Sequence, residues 1–329
     1  MKEKVLVTGG AGYVGSVLVE KLVALKDLDV SALDVMLFGD NGLASVAGKC
    51  KIIKGDIRDT RLLEESLTGI DYVIHLAAIA NDPCSNLNPE LTKQVNFEAT
   101  KNIARIAKEK GAKRLIYASS SSVYGIKEEP KVTEELTLEP LTIYSKTKAW
   151  AEDAIKEYDD NNFTTVSIRS ATVCGYSPRQ RLDVIVNILA SDAITKKIIT
   201  VNGGEQKRPN VHIDDLANLY ADLIHAPKEK ISAQVFNYGK ENYTVNEIAD
   251  MVKKAIGDDV VIRKNPKTAD SRSYNISSEK IENALGVYPK HTITEAVYDL
   301  KKAFERGLIP NPEDTRYRNV ARMKEINFN

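Results

Sequence analysis

Tyr144 and Lys148 lie four residues apart in Tyr144-Ser145-Lys146-Thr147-Lys148, a spacing that sets two side chains one turn apart on one helix face. A free tyrosine titrates near pH 10 and is a poor base at neutral pH. A lysine cation about 5 Å away contributes roughly 3 kcal/mol at an effective dielectric near 20. That lowers a phenol by about two pKa units. The pair therefore suits a phenolate that takes a proton from a substrate hydroxyl. On its own the spacing is common and reads equally as a solvated helix pair. Its context is a hydroxyl-rich stretch, Ser119-Ser120-Ser121-Ser122-Val123-Tyr124-Gly125, directly after the apolar run Leu115-Ile116-Tyr117-Ala118. A hydroxyl at the end of a strand can hydrogen-bond the oxygen that the tyrosine titrates, where charge develops.

A second constellation opens the chain: Val7-Thr8-Gly9-Gly10-Ala11-Gly12-Tyr13-Val14-Gly15. It follows a strand-like run and begins a helical stripe, the context in which a glycine turn cradles a dinucleotide. Glycines let the backbone approach a pyrophosphate, whose charge then meets the free N–H groups of a helix N-terminus. Gly9, Gly12, Tyr13, Val14 and Gly15 are the candidate contacts. Asp34, at the end of the next apolar run, offers a carboxylate to both hydroxyls of an adenosine ribose and repels a 2′-phosphate, so NAD is the expected cofactor rather than NADP. Asp56 and Ile57, after a third run, can border the adenine. Leu76, Ala77 and Ala78 supply small residues where a flat cofactor lies against the backbone. His75 reads as a packed core histidine.

These residues need a frame. Apolar runs at Val5–Val7, Val30–Leu33, Ile52–Ile53, Tyr72–Leu76, Leu115–Tyr117 and Thr165–Ile168 read as buried strands. Between several of them lie helical stripes: Val14, Val17, Leu18, Leu22 and Leu25 form one, and Ile103, Ile106 and Ala107, closed by Gly111, form another. Strand and helix in alternation predict an α/β fold with a doubly wound parallel sheet. After Cys174 the rhythm changes. Helices near Asp214–Ile224 and Val245–Ile256 and a strand at Gln234–Tyr238 suggest a smaller mixed α/β lobe. The predicted division is a dinucleotide-binding domain over 1–173, rejoined by the strand near 234–239, and a substrate lobe over 174–329. The tail from Pro310 reads as a surface wrap or a loosely ordered end.

Lys plus Arg and Asp plus Glu both number 46, so no general field attracts nucleic acid or an acidic membrane. Hydrophobic content of 43% is that of an ordinary globular chain, and no apolar run is long enough to span a bilayer. Cys50, Cys84 and Cys174 are far apart and odd in number, which predicts reduced thiols, no metal site and a cytoplasmic home.

The glycine loop, Asp34, the serine stretch and the Tyr144/Lys148 pair together resemble extended short-chain dehydrogenases/reductases, in particular the nucleotide-sugar epimerase and dehydratase branch. Lys207-Arg208-Pro209-Asn210-Val211-His212-Ile213-Asp214 and Val235-Phe236-Asn237-Tyr238-Gly239 are similar to later segments of that branch, so the resemblance covers almost the whole chain. It implies a Rossmann domain, NAD, a nucleotide-diphosphate sugar as substrate and a homodimer joined through helices near 91–110 and 144–158. It gives Ser120 the catalytic Ser/Thr role beside Tyr144 and Lys148. Dehydratases of the branch carry Asp-Glu at the next two positions, where this chain has Ser121 and Ser122. Neither serine can do carboxylate chemistry, which disfavours 4,6-dehydration. What remains is C4 oxidation, ending as an epimerase or a 4-dehydrogenase, or the reverse reaction of a 4-ketosugar reductase. A dinucleotide sensor without catalysis is the reading from another class. By the same resemblance Asn81, Ser121 and Ser122 border the sugar, while Arg179, Arg181, Asn187, Arg208 and Arg272 surround the substrate's diphosphate. Arginine forks suit that group.

Overall fold

The structure, a computed structural model, describes residues 2–266, 273 and 275–328. Twelve strands are present among them: β1 (Glu3–Thr8), β2 (Leu28–Asp34), β3 (Lys51–Lys54), β4 (Tyr72–His75), β5 (Arg114–Ser120), β6 (Thr164–Ser170), β7 (Thr172–Cys174), β8 (Ile198–Asn202), β9 (Lys207–His212), β10 (Gln234–Tyr238), β11 (Glu241–Thr244) and β12 (Val261–Asn265). Seven of them form one parallel sheet in the order β10-β6-β5-β4-β1-β2-β3. This is the expected doubly wound α/β architecture. Val5 pairs with Val30 on one side and with Tyr72 on the other, so the chain reverses its direction of progress between β1 and β4. A sheet of this kind binds its ligands at that reversal, beyond the strands' C-terminal ends.

The apolar runs bury both faces of the sheet, and their residues divide by parity. Val5 and Val7 join one core with Ile74, Ile116 and Ile168, beneath the helices Tyr13–Ala24 and Ile213–His225. Leu6 joins the other core with Val73, Leu115 and Tyr117, beneath Thr60–Leu67, Ala99–Glu109 and Ile143–Lys156. The smaller lobe has a third core, built from the helices Ile185–Lys196, Val245–Ile256 and Ile293–Glu305 around β8.

After Cys174 the chain crosses between these bodies. Helix Ile213–His225 shares a core with the helix of the glycine loop, and β10 completes the large sheet beside β6. β7, β9 and β11 form a three-stranded sheet between the two returns, and β12 pairs with β8. The tail is ordered. It runs through the helix Asn319–Glu325, buries Met323 in the second core, and donates a hydrogen bond from Arg322 Nε to the Leu37 carbonyl at 2.9 Å. Among the described residues no helix is long and apolar enough to cross a membrane.

Candidate active site

The glycine loop turns between β1 and the helix Tyr13–Ala24. Gly9 has φ +73°, and a Cβ there would fall 2.7 Å from the Ala77 nitrogen. A Cβ on Gly15 would fall 2.0 Å from the Gly9 carbonyl oxygen. Only glycine lets the loop close on the helix and on the end of β4 at once. Asp34 ends β2 with both oxygens engaged: Oδ2 accepts from the Ala11 amide at 3.0 Å and Oδ1 from the Met36 amide at 2.7 Å. Burial pushes its carboxyl up, opposed by those two hydrogen bonds. Asp56 accepts from Arg58 at its amide and guanidinium. Burial pushes the Asp56 carboxyl up, but the Arg58 contacts outweigh it and the net shift is downward. His75 is fully buried, with Thr8 Oγ1 2.6 Å from Nδ1 and Thr100 Oγ1 2.8 Å from Nε2. Burial, with Lys148 nearby, holds the ring down to about 3, so it is a neutral strut at neutral pH.

Across the cleft stands the helix Ile143–Lys156. Thr142 caps it, with Ser145 completing a capping box, and the Thr142 hydroxyl donates to Asp82 from the turn after β4. The cap fixes the helix start, and so the direction of Tyr144 in its first turn. Lys148 is 3% exposed, donates from Nζ to the Ala118 carbonyl at 2.7 Å, and lies 6.0 Å from the Tyr144 ring centroid. Burial lowers its pKa to about 7, with Glu152 pulling it back up. Ser120 ends β5, and its Oγ accepts from the Ser122 amide at 3.2 Å.

Glu152, one turn beyond Lys148, anchors a buried network. Arg169 of β6 grips its carboxylate through Nε and Nη2, the latter at 2.7 Å, and Ser119 Oγ donates to it. Arg169 Nη1 also donates to the Tyr124 hydroxyl at 2.9 Å, which donates to Asn237 Oδ1 at 2.8 Å. The sequence reading missed this network. Its signal was Tyr144, Lys148 and Glu152 at successive four-residue steps.

One cleft of about 670 Å³ joins these parts, within the range of a small-molecule site. Every predicted site residue that the structure describes lines it except Asn187. That includes Asn81, held at φ +76°, Ser121, Ser122, Arg179, Arg181 and Arg208. Asn187 is corrected to a brace. It is fully buried, accepts from the Gly175 amide at 3.0 Å, and donates to the Tyr13 hydroxyl and the Arg181 carbonyl at 2.9 Å each. Those contacts engage both donors of its amide, and full burial behind the loop keeps it out of the cleft lining. Arg272 lies outside the described residues.

A doubly wound sheet with a glycine-rich phosphate turn and a Tyr-Lys pair beside it defines an extended short-chain dehydrogenase/reductase. The model of the NAD-dependent epimerase/dehydratase family matches residues 5–239, and the chain belongs to that family. It is 31% identical to a UDP-glucose 4-epimerase of Lactobacillus helveticus, over 88% of this chain and 92% of that one. A UDP-glucuronic acid decarboxylase 1 of Arabidopsis thaliana is 30% identical, over 94% and 72% respectively. Among solved structures, a UDP-glucuronic acid 4-epimerase from Bacillus cereus in complex with UDP-glucuronic acid and NAD superimposes with a TM-score of 0.82 at 26% identity, covering 92% of this chain and 99% of that one. NAD is the cofactor. The site fits it: the turn at Gly9 leaves no room for a side chain, and the Asp34 carboxylate stands where a 2′-phosphate would be repelled.

Proposed function

We propose that this enzyme oxidises C4 of a nucleotide-diphosphate sugar and acts as a 4-epimerase or 4-dehydrogenase. The observation that carries the reading is the meeting of Ser120, Tyr144 and Lys148 in the cleft that also holds the glycine loop. Bound NAD supplies the hydride acceptor. Tyr144 takes the proton of the C4 hydroxyl, Ser120 hydrogen-bonds the same oxygen, and the Lys148 cation favours the phenolate. Ser121 and Ser122 stand beside Ser120 with no carboxylate between them, which argues against elimination of water. Arg208, on β9 at the lobe side of the cleft, is assigned to the sugar nucleotide's diphosphate. On the same footing we propose a homodimer working in the cytoplasm, where the free thiols Cys50, Cys84 and Cys174 remain reduced.

The test is turnover. NAD-loaded protein is incubated with UDP-glucose, UDP-N-acetylglucosamine and UDP-glucuronic acid, with C4 epimers followed by NMR and NADH by its absorbance. At least one of them is expected to turn over. Tyr144→Phe is expected to lower that rate by about 10²- to 10⁴-fold with NAD content unchanged. Undiminished turnover in the variant, or none by the wild type with any nucleotide sugar, rejects the reading.

A further inference from the structure

The loop 175–181 belongs to the lobe in chain order, yet it is seated on the first turn of the helix Tyr13–Ala24. The Tyr13 hydroxyl donates to the Gly175 carbonyl at 2.7 Å. Ser177 Oγ donates to the Tyr13 carbonyl at 2.7 Å and lies 2.8 Å from Ser16 Oγ. Asn187 closes the loop from behind through Gly175 and Arg181. This seat carries two arginines to the N-terminus of the helix, where the dinucleotide loop lies.

Arg179 packs against that loop. A Cβ on Gly42 would meet both the Arg179 Cβ at 3.0 Å and the Ala11 carbonyl at 2.9 Å. Its guanidinium lies 3.7 Å over the Phe38 ring, just beyond Asp34 in the chain. The residue is only 6% exposed; Nη2 donates to Asn319 Oδ1 at 2.6 Å, while Nε is buried with no partner among the described residues. Arg181 donates from Nε to Asp183 at 2.8 Å and likewise has a buried Nη2 with no partner there. Burial and the neighbouring Arg181 lower the Arg179 pKa to about 9. Buried guanidinium N–H groups are rarely left unsatisfied, and a diphosphate is the acceptor that such forks suit beside a helix N-terminus.

The tail covers the same edge. The Asn319 amide donates to Asp183 at 2.9 Å, Leu182 N donates to the Tyr317 carbonyl at 2.8 Å, and Arg322 is tied to Leu37. Phe328 lines the cleft, with Arg58 5.8 Å above its ring. The segment therefore bridges the arginine loop to the loop that follows Asp34.

We propose that Arg179, seconded by Arg181, grips the diphosphate of NAD beside the glycine loop, and that Asn319 and the tail latch this grip. The two arginines are thereby reassigned from the substrate to the cofactor. NAD leaves only when the tail lifts, so it stays bound between turnovers.

The experiment measures NAD release from the full chain, by rapid gel filtration followed by denaturation and quantification of NAD(H), alongside titration of each NAD-loaded protein with UDP. Arg179→Ala is expected to speed release by about ten- to a hundredfold, with Arg179→Lys recovering part of the loss. Asn319→Ala and Arg322→Ala are expected to speed it several-fold, and UDP affinity is expected to change less than twofold in all four. Arg208→Ala should do the reverse. Unchanged release from Arg179→Ala, or retained NAD with lost UDP binding, overturns the grip. If Arg179→Ala does not fold, Asn319→Ala and Arg322→Ala decide: wild-type release from both overturns the latch.

Discussion

Lys148 is asked to be a cation in a place that disfavours one. Burial draws its pKa down to about 7 from 10.5, and Glu152 only partly opposes this. Below about pH 7 the folded and unfolded chains both carry the proton, so the folded state bears the full cost of the buried charge. Between about 7 and 10.5 the folded chain releases a proton that the unfolded chain keeps, and this group's contribution to stability rises with pH. Lys148→Met is therefore expected to gain stability over the wild type most below pH 7, with the gain fading toward pH 10.5. Urea unfolding of the two proteins across that range reads the difference; a gain independent of pH would show that Lys148 is not desolvated. Asp34 makes a second prediction at this scale. Its carboxylate is held in place by the Ala11 and Met36 amides, and in the proposed role it accepts from two ribose hydroxyls, each bond worth about 1 kcal/mol. Asp34→Ser should weaken NAD binding by at least about tenfold and strengthen NADP binding. Titration with both cofactors checks it, and an unchanged ratio of affinities would contradict the role.

At the scale of elements, the helix Ile143–Lys156 is held at its start by the Thr142 cap and at its middle by Arg169 reaching from β6 to Glu152. Both charges are nearly enclosed, at 7% and 4% exposure, so removing one strands the other. Glu152→Ala is expected to cost about 3–5 kcal/mol, seen as an earlier urea transition. The pair replacement Glu152→Leu with Arg169→Met should cost less than the single change. An equal or larger loss in the double variant would mean that the pair is a net stabiliser. This element also marks where the sequence stops being legible. Tyr144 and Lys148 declare themselves because a four-residue step is a property of the helix alone. The Arg169–Glu152 contact spans 17 positions and exists only once β5 and β6 pair. The arginines of the loop 175–181 were legible as phosphate binders by type, but which diphosphate they face depends on the loop's seat at Tyr13 and Ser16. Asn187 misled for the same reason: an amide on a helix near a cleft reads as a ligand until it is found buried and bonded to Gly175, Arg181 and Tyr13. The alternating strands and helices of the first half were plain because each buries a continuous run. Helix Ile213–His225 returned to the large sheet unannounced, since its amphipathic stripe says that it packs and not against what.

Among the described residues three large aromatics stand exposed, Trp150, Tyr288 and Tyr298, and Trp150 is the one on the helix that carries Tyr144. Trp150 sits on the outer side of the helix Ile143–Lys156, 40% exposed, edge-to-face with Phe97 at 5.8 Å between ring centroids. That helix and Ala99–Glu109 pack side by side over the second core. Large aromatics are enriched where subunits meet, and a patch on two neighbouring helices can cover its own copy about a two-fold axis. The proposed homodimer would bury Trp150 there. Tyr144 and Lys148 ride on the same helix, so the partner would also stiffen the element that orients the proposed base. Trp150→Glu is expected to shift the protein from two chains to one in sedimentation equilibrium, with an unchanged far-UV spectrum and NAD content. Its turnover should fall, because the helix loses its outer support while the cofactor edge, on the far side of the cleft, is untouched. A wild type that sediments as a single chain would remove the dimer from the proposal. A variant that remains dimeric would move the interface away from these two helices.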